Sequence, residues 1–325
     1  MHDNPAGLNN NNNSDKKKNP LLSVITPAYN EEKNIPELYT CLNEVITRLG
    51  ISWEWIVIDD HSSDTTFDVI RHISNSDPQV RGIRLSRNHG SHTAIMCGIS
   101  YARGDCAVIM AADLQDPPEV IPSLYEKWKA GIHVVWAVRQ QREGIRTQDH
   151  LFARIYYRIM RDIVGIQNIH PSGADFFLID HRVINGILQF QEKNRSILAL
   201  VAWMGYKQDF IEYTKKARLH GESGWSFKKK ITLVIDSITS FSYLPIRFMS
   251  YIGIITAIFG FLYALFIILN AITGKPPEGW SSLMVVILII GGIQMVMLGV
   301  LGEYVWRALD ESRKRPQFLI EETTS

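Results

Sequence analysis

The sequence has few cysteines, and their pattern excludes two classes of small, cross-linked domain. There are 3 in 325 residues, at Cys41, Cys97 and Cys106, and they stand far apart among apolar neighbours. An odd number of cysteines at wide spacing suggests neither a disulfide framework nor a zinc site. This usage fits a reducing, cytoplasmic environment.

The chain also lacks an excess of charge of one sign. It carries 34 basic and 33 acidic residues, which leaves a net charge of +1. Away from the apolar carboxy-terminal runs there is no long basic stretch interleaved with aromatics, so nucleic acid is not an expected partner. Residues 1–20, with "LNNNNNSDKKKNP", lack the apolar core of a signal peptide and are predicted to be a disordered polar tail.

Two common phosphate-binding loops are missing as well. No "GxxxxGK" loop occurs, and no "GxGxxG" follows the first strand-like run. The familiar modes of binding nucleoside triphosphates and dinucleotides are therefore disfavoured.

Long apolar runs, by contrast, are present near the carboxy terminus. Phe248 to Leu269 and Leu283 to Leu301 contain no charged residue, and each is close to the roughly 20 residues that cross a bilayer. Because a helix in a soluble core normally carries a polar face, we predict a hairpin of two transmembrane helices. Basic residues lie on the outer flanks of the pair, among them Lys228, Lys229, Lys230, Arg247, Arg307 and Arg313. By the positive-inside tendency, both termini and the amino-terminal domain of this multi-pass protein should face the cytoplasm, at the inner (cytoplasmic) membrane.

The amino-terminal part alternates strand-like and helical patterns. "LLSVITPAYN", "WEWIVIDDHSSD", "VRGIRLSRNHGSH" and "CAVIMAADLQD" each read as an apolar strand with a polar end, and helical periodicity follows the first three. Such alternation predicts a mostly parallel α/β sheet with helices on both faces. Ligands bind such sheets at the carboxyl ends of the strands, which here carry Asn30, Glu31, Asp59, Asp60, Asp113 and Gln115.

The negative charge of these clustered acidic side chains must be compensated by cations, hydrogen-bond donors or a polar ligand. A Mg²⁺ or Mn²⁺ ion that bridges a diphosphate would provide it, because hard cations prefer oxygen ligands and share them with phosphate. A nucleotide sugar is the ligand that this pattern favours.

"VITPAYNEEKNI", "IVIDDHSSDTT", "LSRNHGSHTAIMCGISYARGD" and "ADLQDPPE" resemble, in order and spacing, the family-two inverting glycosyltransferases of GT-A fold. "GADFFLIDHRV", "HGESGWSFKKKITLVIDSITSFSYLPIR" and the two apolar runs look more narrowly like bacterial polyprenyl-phosphate glycosyltransferases related to dolichol-phosphate mannose synthases. The resemblance covers about residues 21 to 310. It implies transfer of a sugar from a nucleotide diphosphate sugar to polyprenyl (undecaprenyl) phosphate with inversion, which would supply a lipid-linked donor for cell-envelope glycan modification.

The resemblance also assigns the donor site. It implies that the nucleotide sugar is bound by Pro27, Tyr29, Asn30, Glu31, Asp59, Asp60 and Asp113. Asp113 and Gln115 match the positions that hold the metal diphosphate. The first acid of the family's "DxD" element is Ala111 here, and a basic position of the family's "NFGKE" loop reads "NHGSH", with Ser91 and His92 in its place. His89 and His92 are expected to serve the loop and helix cap rather than a metal.

The acceptor side is assigned in the same way. Asp175 matches the acid near the acceptor, and Arg139 is a candidate for contact with the diphosphate or the lipid phosphate; together with Asp113 they form the expected catalytic set. Arg142, Arg218 and Lys228 are the candidates for binding the lipid phosphate near the membrane. A solvated basic face is the alternative for Arg139 and Arg142, and an acidic residue that simply precedes a buried strand is the alternative for Asp175.

These observations divide the chain into a tail (1–20), a catalytic domain (21–224), a juxtamembrane amphipathic segment lying along the interface (225–247), two transmembrane helices (248–303) and a cytoplasmic tail (304–325). Two other functions compete. A processive polysaccharide synthase would need more membrane helices and a "QxxRW" motif, which are absent from the sequence. A catalytically impaired regulator that binds sugar nucleotides is suggested by Ala111. A homo-oligomer is possible.

Overall fold

The computed structural model describes residues 21–140, 175–190, 197–215, 244–273 and 279–324. Their eight strands form one sheet in the order β7-β5-β6-β4-β1-β2-β3-β8. The strands are β1 (Leu21–Ala28), β2 (Ser52–Asp59), β3 (Val80–Leu85), β4 (Cys106–Ile109), β5 (Val134–Arg139), β6 (Phe176–Asp180), β7 (Gln208–Tyr213) and β8 (Ile320–Thr323).

The middle of the sheet is parallel, as the sequence pattern predicts. β1 pairs in parallel with β2 and β4, and β2 with β3. β5 and β7 are parallel to each other. β6 runs antiparallel between β4 and β5, and β8 is antiparallel to β3. The sheet is therefore mixed but mostly parallel.

Helices cover both faces, because the strand side chains alternate between two apolar layers. The six helices of this part are α1 (Asn34–Leu49), α2 (Thr66–Ser76), α3 (Ser91–Tyr101), α4 (Ile121–Lys129), α5 (His181–Gln189) and α6 (Ile197–Trp203). On β2, Trp55 and Val57 pack with α1, α2 and α4, while Ile56 and Ile58 pack with α3. The expected layered α/β architecture is confirmed.

Helix α3 lies unusually close to the sheet. A Cβ atom placed on Gly98 would be 2.3 Å from Cγ2 of Ile25 on β1. Only glycine fits such an approach without displacing a neighbour. This contact determines how closely α3, which begins at the "NHGSH" loop, packs against the sheet.

Two long apolar helices follow, α7 (Leu244–Ile272) and α8 (Trp280–Ser312). Within them Ile246–Asn270 and Leu283–Ser312 are long and apolar enough to cross a membrane, and neither stretch is buried inside the protein. Phe261 and Met295, for example, each expose 71% of their surface. Leaving so much contiguous apolar surface in water is unfavourable, so the helices require another apolar environment.

The end of the chain returns to the sheet, which the sequence pattern did not indicate. Within the region predicted as a cytoplasmic tail, β8 pairs with β3 and closes one edge of the sheet. Leu319 accepts a hydrogen bond from the amide of Ser86, and the amide of Thr324 donates to the carbonyl of Gly82. β8 is only four residues long and polar, which explains why strand patterning missed it.

Candidate active site

The expected site residues gather where the sheet register brings the strand ends together. Ala28 at the end of β1 pairs with Asp59 at the end of β2, and Ile25 pairs with Ile109 at the end of β4. The loops that follow these strands begin at the same edge and carry the predicted donor-site residues. The carboxyl edge that the sequence predicted is therefore the edge at which these residues lie.

The loop after β1 is tied to the loop after β2. The amide of Asn30 donates to Oγ of Ser62 at 2.9 Å, and the amide of Ser63 donates to Oδ1 of Asn30 at 2.9 Å. The amide of Glu31 donates to Oγ1 of Thr66 at 2.8 Å. Asn30 has φ 58°, a left-handed conformation that needs such support in a non-glycine residue.

Other side chains of this loop remain available for a ligand. Tyr29 is 48% exposed beside these bonds. Pro27 lies within β1 opposite Ile58 of β2. The two loops, which are predicted to bind the donor, form one wall whose backbone is internally hydrogen bonded.

Asp59 and Asp60 are both buried, and their carboxylates already hold the protein together. Asp59 accepts a hydrogen bond from the amide of Ser62 and one from Arg84 at 3.1 Å. Asp60 accepts 2.7 Å bonds from the amides of His89 and Gly90. Burial raises the pKa of both carboxyl groups, although these donors oppose the rise. Contact of Asp59 and Asp60 with base or ribose stays a prediction, and it would use lone pairs that these bonds leave free.

Asp113 stands at the turn that ends β4. It is 6% exposed, and Oδ1 accepts a bond from the amide of Gln115 at 3.2 Å. Leu114 between them has φ 58°, which bends the chain so that the two polar residues occupy one tight turn. The turn thus holds the Asp113 carboxylate against the backbone amide of Gln115, and both residues follow β4, where the sequence predicted them.

Arg139 and Asp175, which are both predicted to act on the acceptor, contact each other. Nη2 of Arg139 donates to Oδ2 of Asp175 at 2.7 Å. The last pair between β4 and β6 is Ile109 with Phe177, so Asp175 lies beside the start of the turn that carries Asp113. Arg139 ends β5, whose Ala137 pairs with Phe176. The three residues expected to be catalytic therefore come from neighbouring strand ends.

A buried network behind this pair was not predicted. Asp116 is 1% exposed; the hydroxyl of Tyr213 donates to it, and Nζ of Lys215 lies 3.6 Å away. Burial raises the pKa of Asp116, although Lys215 and Tyr213 oppose the rise. Burial alone would lower the pKa of Arg139, but Asp175 and Asp116 raise it overall. Asp116 was visible in "ADLQDPPE", whereas Tyr213 and Lys215 come from a distant strand and gave no local signal.

Two buried atoms of this network have no hydrogen-bond partner within the described part of the chain. They are Nε of Arg139, a donor, and Oδ2 of Asp116, an acceptor. Buried polar atoms are normally satisfied, and exceptions are common at ligand sites. The free Arg139 donor suits an anionic oxygen.

The two histidines of the "NHGSH" loop do not cap α3: Gly90 is its N-cap residue, and no side-chain hydrogen bond is made there. His89 contributes its amide to Asp60, and burial lowers its pKa. Burial also lowers the pKa of His92, against the effect of Asp175. No group of three or more His, Cys, Asp or Glu suited to a metal occurs among residues 21–140, 175–190, 197–215, 244–273 and 279–324.

The donor set nevertheless fits a cation shared with a ligand. Asp113 offers a carboxylate and Gln115 an amide oxygen, and Mg²⁺ usually binds through one or two carboxylates together with substrate phosphates and water. The remaining predicted residues, Arg142, Arg218 and Lys228, lie outside the described residues.

Comparison with known proteins identifies the family of the chain. The profile of Glycosyl transferase family 2 matches residues 23–188. The prophage bactoprenol glucosyl transferase homolog of Escherichia coli K12 is 36% identical over 300 residues, covering 92% of this chain and 98% of that protein. The bactoprenol glucosyl transferase of Shigella phage SfV is 35% identical over 92% and 97%.

Two further matches are more weakly informative. A glycosyltransferase of Synechocystis sp. described as uncharacterized is 39% identical over 92% of this chain and 94% of its own. Glucosyl-3-phosphoglycerate synthase from Mycobacterium tuberculosis, solved with Mn²⁺ and UDP, aligns with TM-score 0.47 and 14% identity over 68% of this chain and 78% of that one.

The chain belongs to glycosyl transferase family 2, and it is an enzyme of that class. Within the family, the resemblance to the polyprenyl-phosphate type is confirmed, because relatives named bactoprenol glucosyl transferase match it along more than nine-tenths of both chains.

Proposed function

We propose that this enzyme transfers one sugar from a nucleotide diphosphate sugar to polyprenyl phosphate, with inversion at the anomeric carbon. The observation that carries the proposal is the register that places Asp113, Arg139 and Asp175 on neighbouring strand ends at one edge of the sheet. The full-length similarity to bactoprenol glucosyl transferases supports the choice of acceptor. Undecaprenyl phosphate is the specific acceptor that we propose.

The donor would bind along the wall formed by the loops after β1 and β2. Tyr29 supplies exposed aromatic surface there, and Asn30 and Glu31 are held by bonds to residues 62–66. Asp113 and Gln115 would hold Mg²⁺ or Mn²⁺ against the diphosphate. When bound, the ion neutralises the charge that develops on the departing diphosphate.

The acceptor phosphate must be oriented, but its attacking oxygen has little need of a base to remove a proton. A phosphate monoester has a second pKa near 6, so the attacking oxygen is already largely ionised at neutral pH. Arg139 offers its buried, unpartnered Nε to an anionic oxygen while Nη2 binds Asp175. Asp175 therefore holds the guanidinium and orients the acceptor, and proximity supplies much of the rate. A single displacement from the opposite face gives inversion.

The apolar helices would hold the protein in the cytoplasmic membrane with the sheet in the cytoplasm. α7 and α8 are long enough to cross a bilayer, and basic residues flank their outer ends. β8 supports this orientation. It follows α8 within a few residues and pairs with β3, so the end of α8 and the sheet lie on the same side of the membrane.

The names of the relatives make glucose the first sugar to test and a lipid-linked glucose for cell-envelope glycans the expected product. Light scattering in detergent tests whether the chain forms a homo-oligomer.

The test uses purified full-length protein in detergent with undecaprenyl phosphate. Radiolabelled UDP-glucose, UDP-galactose and GDP-mannose are supplied with Mg²⁺ or Mn²⁺, and lipid-bound label is measured after extraction. We expect label in the lipid phase for one donor, only when a divalent cation is present. Nucleotide binding without transfer from any donor would instead favour the impaired regulator.

A further inference from the structure

The carboxy-terminal strand brings an acidic side chain to the back of the donor wall. β8 pairs with β3, and the pairing register shifts between Arg84 and Leu85. At this irregularity a carboxylate oxygen of Glu321 accepts a bond from Nε of Arg84 at 3.1 Å. The same oxygen lies 3.2 Å from Nδ1 of His61. That Nδ1 is also 3.1 Å from the carbonyl of Leu85, and since both neighbours are acceptors, Nδ1 carries the hydrogen.

Arg84 also binds the loop after β2 and so connects it to Glu321. Nη1 donates to the buried carboxylate of Asp59 at 3.1 Å, and Nη2 donates to the carbonyl of Ser62 at 3.1 Å. A guanidinium is planar and presents its donors in a fixed arrangement, so holding one edge orients the others. Glu321 therefore holds the outer edge of Arg84 while Asp59 and Ser62 occupy the inner ones.

Ser62 in turn holds the loop after β1. Its hydroxyl accepts the amide hydrogen of Asn30, and Ser63 donates to the side chain of Asn30. Asn30 and His61 both have positive φ, at 58° and 60°. Such backbone needs support from surrounding contacts. A continuous series of hydrogen bonds therefore connects Glu321 on β8, through Arg84 and Ser62, with Asn30, which is predicted to contact the nucleotide.

We propose that Glu321 is a positioning residue for the donor site: through Arg84 it holds the loop of residues 59–63, and thereby Asn30, in the shape that binds the nucleotide. This inference rests on the proposed function, because it assumes that the loops after β1 and β2 bind a nucleotide diphosphate sugar. It makes the last strand of the chain part of the donor site.

The chain contains a matched control one residue further on. Glu322 lies on the same strand, but both of its carboxylate oxygens bind Nη2 of Arg71 on α2 at 2.9 Å. Arg71 also binds Asp68 on the helix surface. Glu322 thus stabilises the same edge of the sheet through a pair that does not include Arg84 or the donor loops.

The experiment measures nucleotide binding by full-length protein in nanodiscs. Isothermal titration with UDP and GDP, each with Mg²⁺, identifies the diphosphate that the wild type binds. Glu321→Gln should raise its Kd about three- to fivefold, which is the effect expected for losing a half-exposed ion pair. The KM for the matching sugar donor should rise by a similar factor at nearly constant kcat. Glu321→Asp should recover part of the affinity, and Glu322→Gln should match the wild type.

Arg84→Lys provides a second test, because it keeps the positive charge but cannot reach Glu321, Asp59 and Ser62 together. It should raise Kd at least as much as Glu321→Gln, and it decides the matter if Glu321→Gln proves unstable. Unchanged Kd in a folded Glu321→Gln protein, or an equal rise in Glu322→Gln, would overturn the proposed role. The nucleoside diphosphate that is titrated is the one from the donor that the wild type uses for transfer, so these outcomes decide the matter whichever donor that is. A wild type that binds and transfers from none would overturn the proposed function, and this inference with it.

Discussion

Arg139 connects two acidic residues, Asp175 and Asp116, at the proposed site. Its guanidinium binds Asp175, and the nearby carboxylate of Asp116 helps to raise its pKa against the effect of burial. Tyr213 and Lys215 hold Asp116 from β7 and the residues after it. A change to any of these residues should therefore affect turnover through the position of Arg139.

Asp113→Asn should lower transfer by at least about a hundredfold, because the amide keeps the shape of the turn but loses the charge that would hold the cation. The rate of lipid labelling is measured at saturating Mg²⁺. Glu126→Gln, which removes an exposed carboxylate on α4 that pairs with Lys129, serves as the control and should leave the rate unchanged. Full activity of Asp113→Asn would remove this residue from the reaction.

Asp116 should make stability depend on pH. Because its folded-state pKa is raised by burial, the folded protein binds more protons than the unfolded chain between the ordinary aspartate pKa, about 3.9, and the raised value. The free energy of unfolding from this group therefore falls as pH rises through that window. We expect the Tm of the wild type to fall relative to that of Asp116→Asn as the pH rises from about 4 through the raised pKa of Asp116. A constant difference in Tm would contradict the shifted pKa.

At the scale of elements, α3 depends on the absence of a side chain at Gly98. Gly98→Ala would place a methyl group 2.3 Å from Ile25 and force the helix away from β1. We expect a loss of about 1 to 3 kcal/mol in the free energy of unfolding, as for other overpacked cores. Thermal unfolding measures it. Ser100→Ala, on the exposed side of the same helix, should change stability little.

The sequence was most informative where elements repeat a simple pattern. The apolar runs ending at Ala28, Asp59 and Ile109 lie in parallel, and their polar ends share one edge, as their composition indicated. The antiparallel insertion of β6 was not predictable, because sequence patterns do not specify the order of strands in a sheet. Tyr213 reaches Asp116 through that unpredicted order.

At the scale of the whole molecule, the proposed insertion of the two apolar helices into a membrane can be tested on α7. Ile258 lies midway along α7 and is 55% exposed. Ile258→Arg should lower the fraction of protein that resists alkaline extraction from membranes, since a charge at the centre of a spanning helix costs about 2.5 to 3.5 kcal/mol on insertion scales. Ile272→Arg, at the helix end, is the control. If α7 lies in water, Ile258→Arg will have no such effect.

The carboxy-terminal strand shows the limit of reading the chain from its composition. Residues 304–325 were predicted to be a cytoplasmic tail, yet four of them extend the sheet and Glu321 contacts Arg84. The short stretch is polar because one side of an edge strand faces solvent. Its partner is β3, more than 230 residues earlier, so no local pattern could have identified the pairing.

We propose that strand ends from several segments of the chain form one site for sugar transfer to a polyprenyl phosphate. The most direct measurement is mass spectrometry of the lipid formed by purified enzyme in proteoliposomes that contain undecaprenyl phosphate, supplied with a nucleotide sugar and Mg²⁺. We predict a new species whose mass is that of undecaprenyl phosphate plus one hexosyl group, formed by the wild type and not by Asp113→Asn. Contradiction would come from the absence of this species for every donor, or from equal amounts with the wild type and Asp113→Asn.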